Sequence, residues 1–297
     1  MGPTASGKSA LAMGLAARLP AEIVNADSVQ IYRGFEIGAA KPTLAERQQV
    51  VHHLLDVTDP DLPWSADRYR AAAWERIATL SGRGIIPLFV GGSGLYLRAV
   101  EQGLALTPPI PSELLEAIRD EGGSRGWPGM HHKLMQVDPE SARKITPNDA
   151  QRILRALSVF VATGTPLTIW QQQQPPPPSM RILKLLLLPP RSLLYPRIEA
   201  RFDTMLRLGL LEEATTLFLK YDRELPVMKA VGYRQLFAWL DGTMSQSDAI
   251  QKAKQESRRY AKRQETWLKQ ETETIRLPDE HPLEAALTHI HLFLRHV

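Results

Sequence analysis

The chain has 297 residues, 43% hydrophobic and 23% charged, proportions that allow a full globular core and exclude a disordered or fibrous chain. It has no cysteine, which excludes disulfides and thiolate metal sites, and its net charge of +4 is compatible with a nucleic-acid partner without requiring one. No apolar run is long enough to span a bilayer and no signal-peptide pattern opens the chain, so a cytoplasmic protein without a membrane partner is expected.

Gly2, Pro3, Thr4, Ala5, Ser6, Gly7, Lys8 and Ser9 fit the phosphate-loop pattern G-x-x-x-x-G-K-[ST] at every fixed position. Its glycines let backbone N–H groups close around phosphate oxygens, Lys8 supplies a mobile charge, and the Ser9 hydroxyl can complete a magnesium shell. Ala10 to Leu19 reads as a helix whose N-terminus faces the bound anion. A loop of this kind normally leaves a buried parallel strand, and only Met1 precedes Gly2. The expectation is therefore that the natural chain begins upstream.

Glu22 to Ala26 reads as a short strand ending at Asp27-Ser28, and Leu88 to Val90 as another, ending in Gly91-Gly92-Ser93-Gly94. Ala66 to Leu80 between them has a helical pattern. The alternation predicts an α/β fold with a parallel sheet covered on both faces, and ligands in such sheets sit at the carboxyl ends of the strands. Asp27 and Ser93 thus fall on the rim that carries the phosphate loop. Asp27 there suits a general base or a magnesium ligand, although a lone Asp also caps turns.

From about Ser112 to Ile169 the pattern changes to helices with polar faces, predicting an inserted domain over 112–178 between a core over 1–111 and a last part over 179–297. Within it, Asn148 to Leu157 reads as a helix capped by Asp149, with Arg152 and Arg155 on one face; a solvated face accounts for this spacing as well as nucleic-acid contact does. Gln171 to Gln174 and Pro175 to Pro178 read as an exposed tether. Arg181 to Leu188 is a third apolar strand, followed by helices to Gln270 with breaks near 222–226 and 241–243.

The last long helix carries Lys252, Lys254, Arg258, Arg259, Lys262, Arg263 and Lys269, with Tyr260 and Trp267 among them. Basic residues interleaved with aromatics suit a phosphate backbone and unstacked bases, though both rings can instead pack inward. His52-His53 and His131-His132 lack metal-ligand spacing, so no zinc site is read there. ATP hydrolysis needs an apolar strand ending in a carboxylate, but Leu88 to Val90 runs into glycine and serine, and Leu54-Leu55-Asp56 is a weak candidate spoiled by His52-His53. A ligand whose diphosphate simply departs is the better fit.

In order along the chain, GPTASGKS (2–9), NADSVQIYRG (25–34), IGAAKP (37–42), HHLLD (52–56), GGSGLYL (91–97), NDAQRILRAL (148–157), RIEARFDTM (197–205), AVGYRQ (230–235) and AKRQETWLK (261–269) resemble the tRNA dimethylallyltransferase family. The resemblance implies a phosphate-loop α/β core with an inserted helical domain and a helical C-terminal part. The reaction it implies, magnesium-dependent and carried out by a monomer, moves a dimethylallyl group from its diphosphate to the exocyclic amine of the adenosine beside the anticodon. Asp27 then matches the family's base and Arg201 the arginine that neutralises the departing diphosphate, with Thr4, Lys8 and a Ser9-bound magnesium holding it. Contacts to the tRNA anticodon arm carry over to Asp27, Ser28, Val29, Gln30, Ser93, Leu115, Gln151, Arg152, Ile153, Leu154, Arg155, Lys229, Gly232, Tyr233, Arg234, Lys262, Arg263, Gln264 and Trp267. The chain departs from the family's pattern at the absent first strand, at Leu115, where arginine is frequent, and at Lys229, which replaces an arginine in some members. Other readings are a phosphate-loop kinase of a small metabolite, an adenylate isopentenyltransferase acting on free nucleotide, and a non-catalytic tRNA-binding protein. The kinase reading leaves the basic aromatic helix unexplained, and the free-nucleotide reading needs no insertion. Retention of Thr4, Lys8, Asp27 and Arg201 argues against lost catalysis.

Overall fold

A computed structural model of the chain describes residues 1–105, 107–173 and 179–295. The chain divides into two compact units, Met1–Val100 with Ser179–Val297, and Glu101–Pro178. The second takes in the segment from Glu101 as well as the expected 112–178. Residues 174–178 of the expected tether lie outside the described residues.

In the first unit the order is α1 (Lys8–Ala16), β1 (Ala21–Asn25), α2 (Leu44–Gln49), β2 (His52–His53), α3 (Ala66–Gly82), β3 (Ile86–Val90) and α4 (Gly94–Gln102). Ile23 and Val24 are β-branched and buried, which suits a strand covered on both faces, and β1 is central in a parallel sheet ordered β2-β1-β3. Its register pairs Ile23 with His52 on one side and Asn25 with Val90 on the other. β1 and β3 therefore end level, and the residues after them share one rim. The turn after β3 demands glycine first: a Cβ on Gly91 would lie 2.0 Å from the Ala26 carbonyl oxygen. Tyr69 of α3 and Tyr96 of α4 stack with ring centroids 4.0 Å apart, and the Tyr69 hydroxyl donates to the Asn25 carbonyl at 2.9 Å. The helices over the sheet are thus bonded to its rim.

The second unit holds α5 (Ser112–Arg125), α6 (Trp127–Val137), α7 (Pro139–Lys144), α8 (Ala150–Thr163) and α9 (Leu167–Gln172) around Met130, Leu134, Ile153 and Leu157. Asp149 caps α8 through the Arg152 N–H at 3.2 Å. Asp138 is buried and accepts four bonds, from the amide and hydroxyl of both Ser141 and Thr168, at 2.7–3.2 Å. Burial alone would raise its pKa, but these bonds hold it below the usual carboxylate value.

The chain returns to the first unit with β4 (Lys184–Leu186), α10 (Arg191–Arg207), α11 (Leu210–Lys220), α12 (Tyr233–Leu240), α13 (Gln246–Leu268), β5 (Thr274–Arg276) and α14 (Pro282–Arg295). The strand expected over 181–188 is only three residues long, because its ladder partner β5 is equally short and Pro189-Pro190 ends it. Met1 lies along β4, its amine donating to Leu185 O at 2.7 Å and its carbonyl accepting from Leu187 N at 2.9 Å. The apolar seam of Leu15, Leu187, Ala286 and Ile290 packs α1 and α14 against this part of the unit.

A candidate active site on the rim of the parallel sheet

The phosphate loop joins Met1 to α1 with Ala5 and Gly7 in the left-handed region, φ 60° and 93°. Gly2 cannot bear a side chain, since a Cβ would sit 2.6 Å from Leu187 O. Lys8 curls back and donates to Pro3 O at 2.7 Å. Burial lowers its pKa to about 8; Asp27 opposes that fall and Arg201 adds to it.

Above the loop is a cavity of ≈ 100 Å³. Thr4, Lys8, Ser9 and Arg201 line one part of it, Asn25, Asp27 and Gln30 another, and Met13, Ile23, Pro42, Leu55 and Val90 give it an apolar side. Arg201 comes from α10 and is half-buried, yet no described carboxylate pairs with its guanidinium. Burial lowers its pKa, and the Asp27 charge partly offsets this.

Asp27 has two jobs, one per oxygen. Oδ1 accepts from the N–H groups of Val29 at 2.9 Å and Gln30 at 3.4 Å, fixing the turn after β1, while no described residue bonds Oδ2. Asn25 holds the backbone of the same residue: its Oδ1 accepts from Asp27 N at 3.0 Å, and its Nδ2 donates to Asp27 O at 3.1 Å and Leu54 O at 2.9 Å. The base candidate thus sits on a strand end bound on three sides. Ser93 closes the rim by accepting from Ser28 N at 2.9 Å.

One cavity wall is the segment 36–42, held at several points. Gln30 Nε2 donates to Ala39 O and Ala40 O at 3.0 and 3.1 Å, and Lys41 joins Tyr32 O, Glu36 and Asp56. Burial raises the Asp56 pKa, but Lys41 and Arg47 hold it below the usual range. From the far side, the Glu213 carboxylate of α11 accepts the N–H groups of Glu36, Ile37 and Gly38 at 3.0, 2.7 and 3.0 Å and the Tyr233 hydroxyl at 2.6 Å. His52, also in the wall, donates from Nδ1 to Val50 O at 2.8 Å, which leaves Nε2 as its acceptor. Burial depresses its pKa and keeps the ring neutral at pH 7.

The structure gathers Thr4, Lys8, Ser9, Asp27, Gln30, Arg201 and Gln264 around one cavity, whereas Ser28, Val29 and Ser93 stand beside it on the rim. Exposed and able to meet a large partner are Gln151, Arg152 and Arg155 of α8, Lys229 and Arg234, and Lys262 and Arg263 of α13. Leu154 and Leu115 are half-buried.

Four residues expected at a nucleic-acid surface are buried in this structure. Ile153 belongs to the core of the second unit, Gly232 and Tyr233 are the buried start of α12 with the Tyr233 hydroxyl donating to Glu213, and Gln264 faces the phosphate loop. The half-buried Trp267 covers Gly94, where a Cβ would meet its ring at 2.4 Å, and Arg98 lies over it 5.1 Å from the centroid. The basic run of α13 is also partly neutralised: Lys254 pairs with Asp203, Arg258 with Glu199, Arg259 with Glu256 and Lys269 with Glu265.

Asn25 and Met13 are cavity residues that sequence reasoning missed, and Tyr260, expected among the cations of the last long helix, also lines the cavity. A polar side chain in a buried strand was the available signal for Asn25. Tyr260 precedes Gln264 by one helical turn, with the exposed Arg263 over its ring 5.7 Å from the centroid, and its phenol is kept neutral by burial and the Asp27 charge. His131 bonds Ala142 O and Ile145 O, and among the described residues no group of three His, Cys, Asp or Glu gathers for a metal.

A family model described as IPP transferase matches residues 30–271. A tRNA dimethylallyltransferase of Magnetococcus marinus is 50% identical, with 99% of this chain and 98% of that protein covered. One from Acidithiobacillus ferrooxidans is 47% identical over 92% of this chain and 86% of its own length. Among solved structures, the tRNA isopentenylpyrophosphate transferase of Bacillus halodurans superposes with a TM-score of 0.71 at 34% identity, covering 99% and 93% of the two chains. A eukaryotic dimethylallyltransferase acting on tRNA gives a TM-score of 0.78 at 26% identity, covering 94% and 73%.

Proposed function

The chain belongs to the IPP transferase family, and on that footing we infer that it moves a dimethylallyl group from dimethylallyl diphosphate to the exocyclic amine of the adenosine beside the anticodon of tRNA, releasing diphosphate. The observation that carries the placement of the reaction is Arg201, a half-buried cation without a described carboxylate partner, in one cavity with Lys8 and Asp27. Such a cation is stabilised by an anionic ligand.

The amine nitrogen attacks the first allyl carbon while its bond to the diphosphate oxygen breaks, and the electron pair leaves with diphosphate. Thr4, Lys8 and Arg201 stabilise the charge gathering there. Asp27 takes the amine proton through Oδ2, its unbonded oxygen. Met13, Ile23, Pro42, Leu55 and Val90 offer an apolar surface to the five-carbon chain. Neutral His52 adds no positive charge where the allyl group itself becomes cationic.

Magnesium fits the loop end: Ser9 Oγ is a hard oxygen donor that no described residue occupies, and the ion's remaining ligands would be diphosphate oxygens and water. When bound, it supplies further charge to the leaving diphosphate. Asp27, Ser28, Gln30 and Ser93 would border the unstacked adenine. Leu115, Gln151, Arg152, Arg155, Lys229, Arg234, Lys262 and Arg263 would face the anticodon arm. On this reading the enzyme acts as a monomer in the cytoplasm.

The test is incubation of the chain with magnesium, an anticodon stem-loop and either dimethylallyl diphosphate or ATP, followed by nucleoside mass analysis. Prenylated adenosine from the first mixture alone is expected. Phosphoryl transfer from ATP without prenylation would replace this reading with the kinase one.

A further inference from the structure

Gln264 is 6% exposed, yet its amide bonds two separate segments of the site. Oε1 accepts the Thr4 N–H at 2.8 Å, and Nε2 donates to Gly92 O at 3.0 Å. Gly92 leaves the room this requires, because a Cβ there would lie 2.2 Å from Nε2. One side chain of α13 thus ties the phosphate loop to the turn after β3. Only an amide supplies both an acceptor and a donor at that reach. Glutamate would set an oxygen against the Gly92 carbonyl, and methionine would fill the space with neither group.

We propose that Gln264 is a positioning residue for the phosphate loop, holding Thr4 in register so that Thr4, Lys8 and Ser9 meet a diphosphate together. The loop's other bonds are mostly internal: Lys8 and the Ser6 amide bond to Pro3 O, and the buried Ser6 hydroxyl has no partner among the described residues. Without the Gln264 acceptor, the Thr4 N–H loses its partner and the loop loses its link to the rim. The inference rests on the reading of this cavity as a diphosphate site.

The experiment compares the intact wild-type chain with Gln264→Met and Gln264→Glu. It measures affinity for inorganic diphosphate with magnesium, affinity for an anticodon stem-loop, and the KM for dimethylallyl diphosphate. Met should weaken diphosphate binding and raise that KM by at least about tenfold, with stem-loop affinity within about twofold. Glu, which keeps the acceptor but sets a charged oxygen against Gly92 O and beside the diphosphate, should lose at least as much as Met. Should Met not fold, Glu is read by the same criteria, with the loss confined to diphosphate. Stem-loop and diphosphate binding falling together would overturn the proposal, as would weakened stem-loop binding alone. Wild-type chain that binds diphosphate and does not prenylate the stem-loop would refute the proposed reaction and leave the loop-positioning role standing.

Discussion

Replacing Glu213 by alanine should show how strongly the cavity wall is held. The carboxylate satisfies four donors, and they differ in what water can do for them. The Glu36 amide is exposed and can turn to solvent, the Ile37 and Gly38 amides are half-buried, and Tyr233 is 1% exposed, its hydroxyl oxygen meeting the Gly38 and Ala39 amides while no other described residue accepts its proton. An orphaned buried hydroxyl costs about 1–3 kcal/mol and each half-buried amide about 1, so E213A should destabilise the chain by about 3–5 kcal/mol. Tyr233→Phe alone should cost about 1–2 kcal/mol, and in the E213A background much less, because the hydroxyl has already lost its acceptor. Urea unfolding of the four proteins gives the cycle. A loss below about 1 kcal/mol for E213A, or additive effects with Y233F, would refute the argument that one carboxylate secures both the segment and the ring.

Asp27→Ala should lower turnover by about 10²–10⁴-fold, the usual range for a missing general base, with stem-loop affinity little changed; a variant turning over normally would remove Asp27 from that role. Because the Lys8 pKa is lowered to about 8, its ammonium is lost at less alkaline pH than an ordinary lysine's. Affinity for the diphosphate donor should therefore decline as pH rises through about 8, and Lys8→Met should lack that step; in the unliganded chain the same group makes folding less favourable below that pH than above it, since the unfolded chain holds the proton up to about 10.4. Charge reversal at Lys262 and Arg263 should weaken stem-loop binding and flatten its salt dependence, by roughly one unit of slope for each phosphate left without its cation. Unchanged binding in a salt titration would take α13 out of the interface.

The parts legible in the sequence are those fixed by local spacing. GPTASGKS sets the loop by itself, and the rule that ligands gather at strand ends correctly put Asp27 beside it. The α13 cations were legible as a group. Their partners Asp203 and Glu199 sit on α10, with α11 and α12 between in sequence, so the neutralisation of Lys254 and Arg258 was not. Helical periodicity puts Tyr260 and Gln264 on one face of α13 but does not say which element covers that face, and here it is the phosphate loop. Tyr233 illustrates the same limit, since its motif points to function while Glu213 claims its hydroxyl from across the unit. β2 and β5 were missed because two or three residues, two of them histidines, carry too little alternation to register as strands.

The lysine of the phosphate loop, resting on Pro3 O, has a consequence for how an anion arrives. Its ammonium has already been stripped of much of its water and aimed inward by a carbonyl that serves as placeholder. An incoming diphosphate need only displace that single neutral acceptor, swapping one hydrogen bond for a stronger one, instead of drawing a hydrated side chain in from solvent. The loop's own backbone thus keeps the ammonium aimed at the place an anion takes.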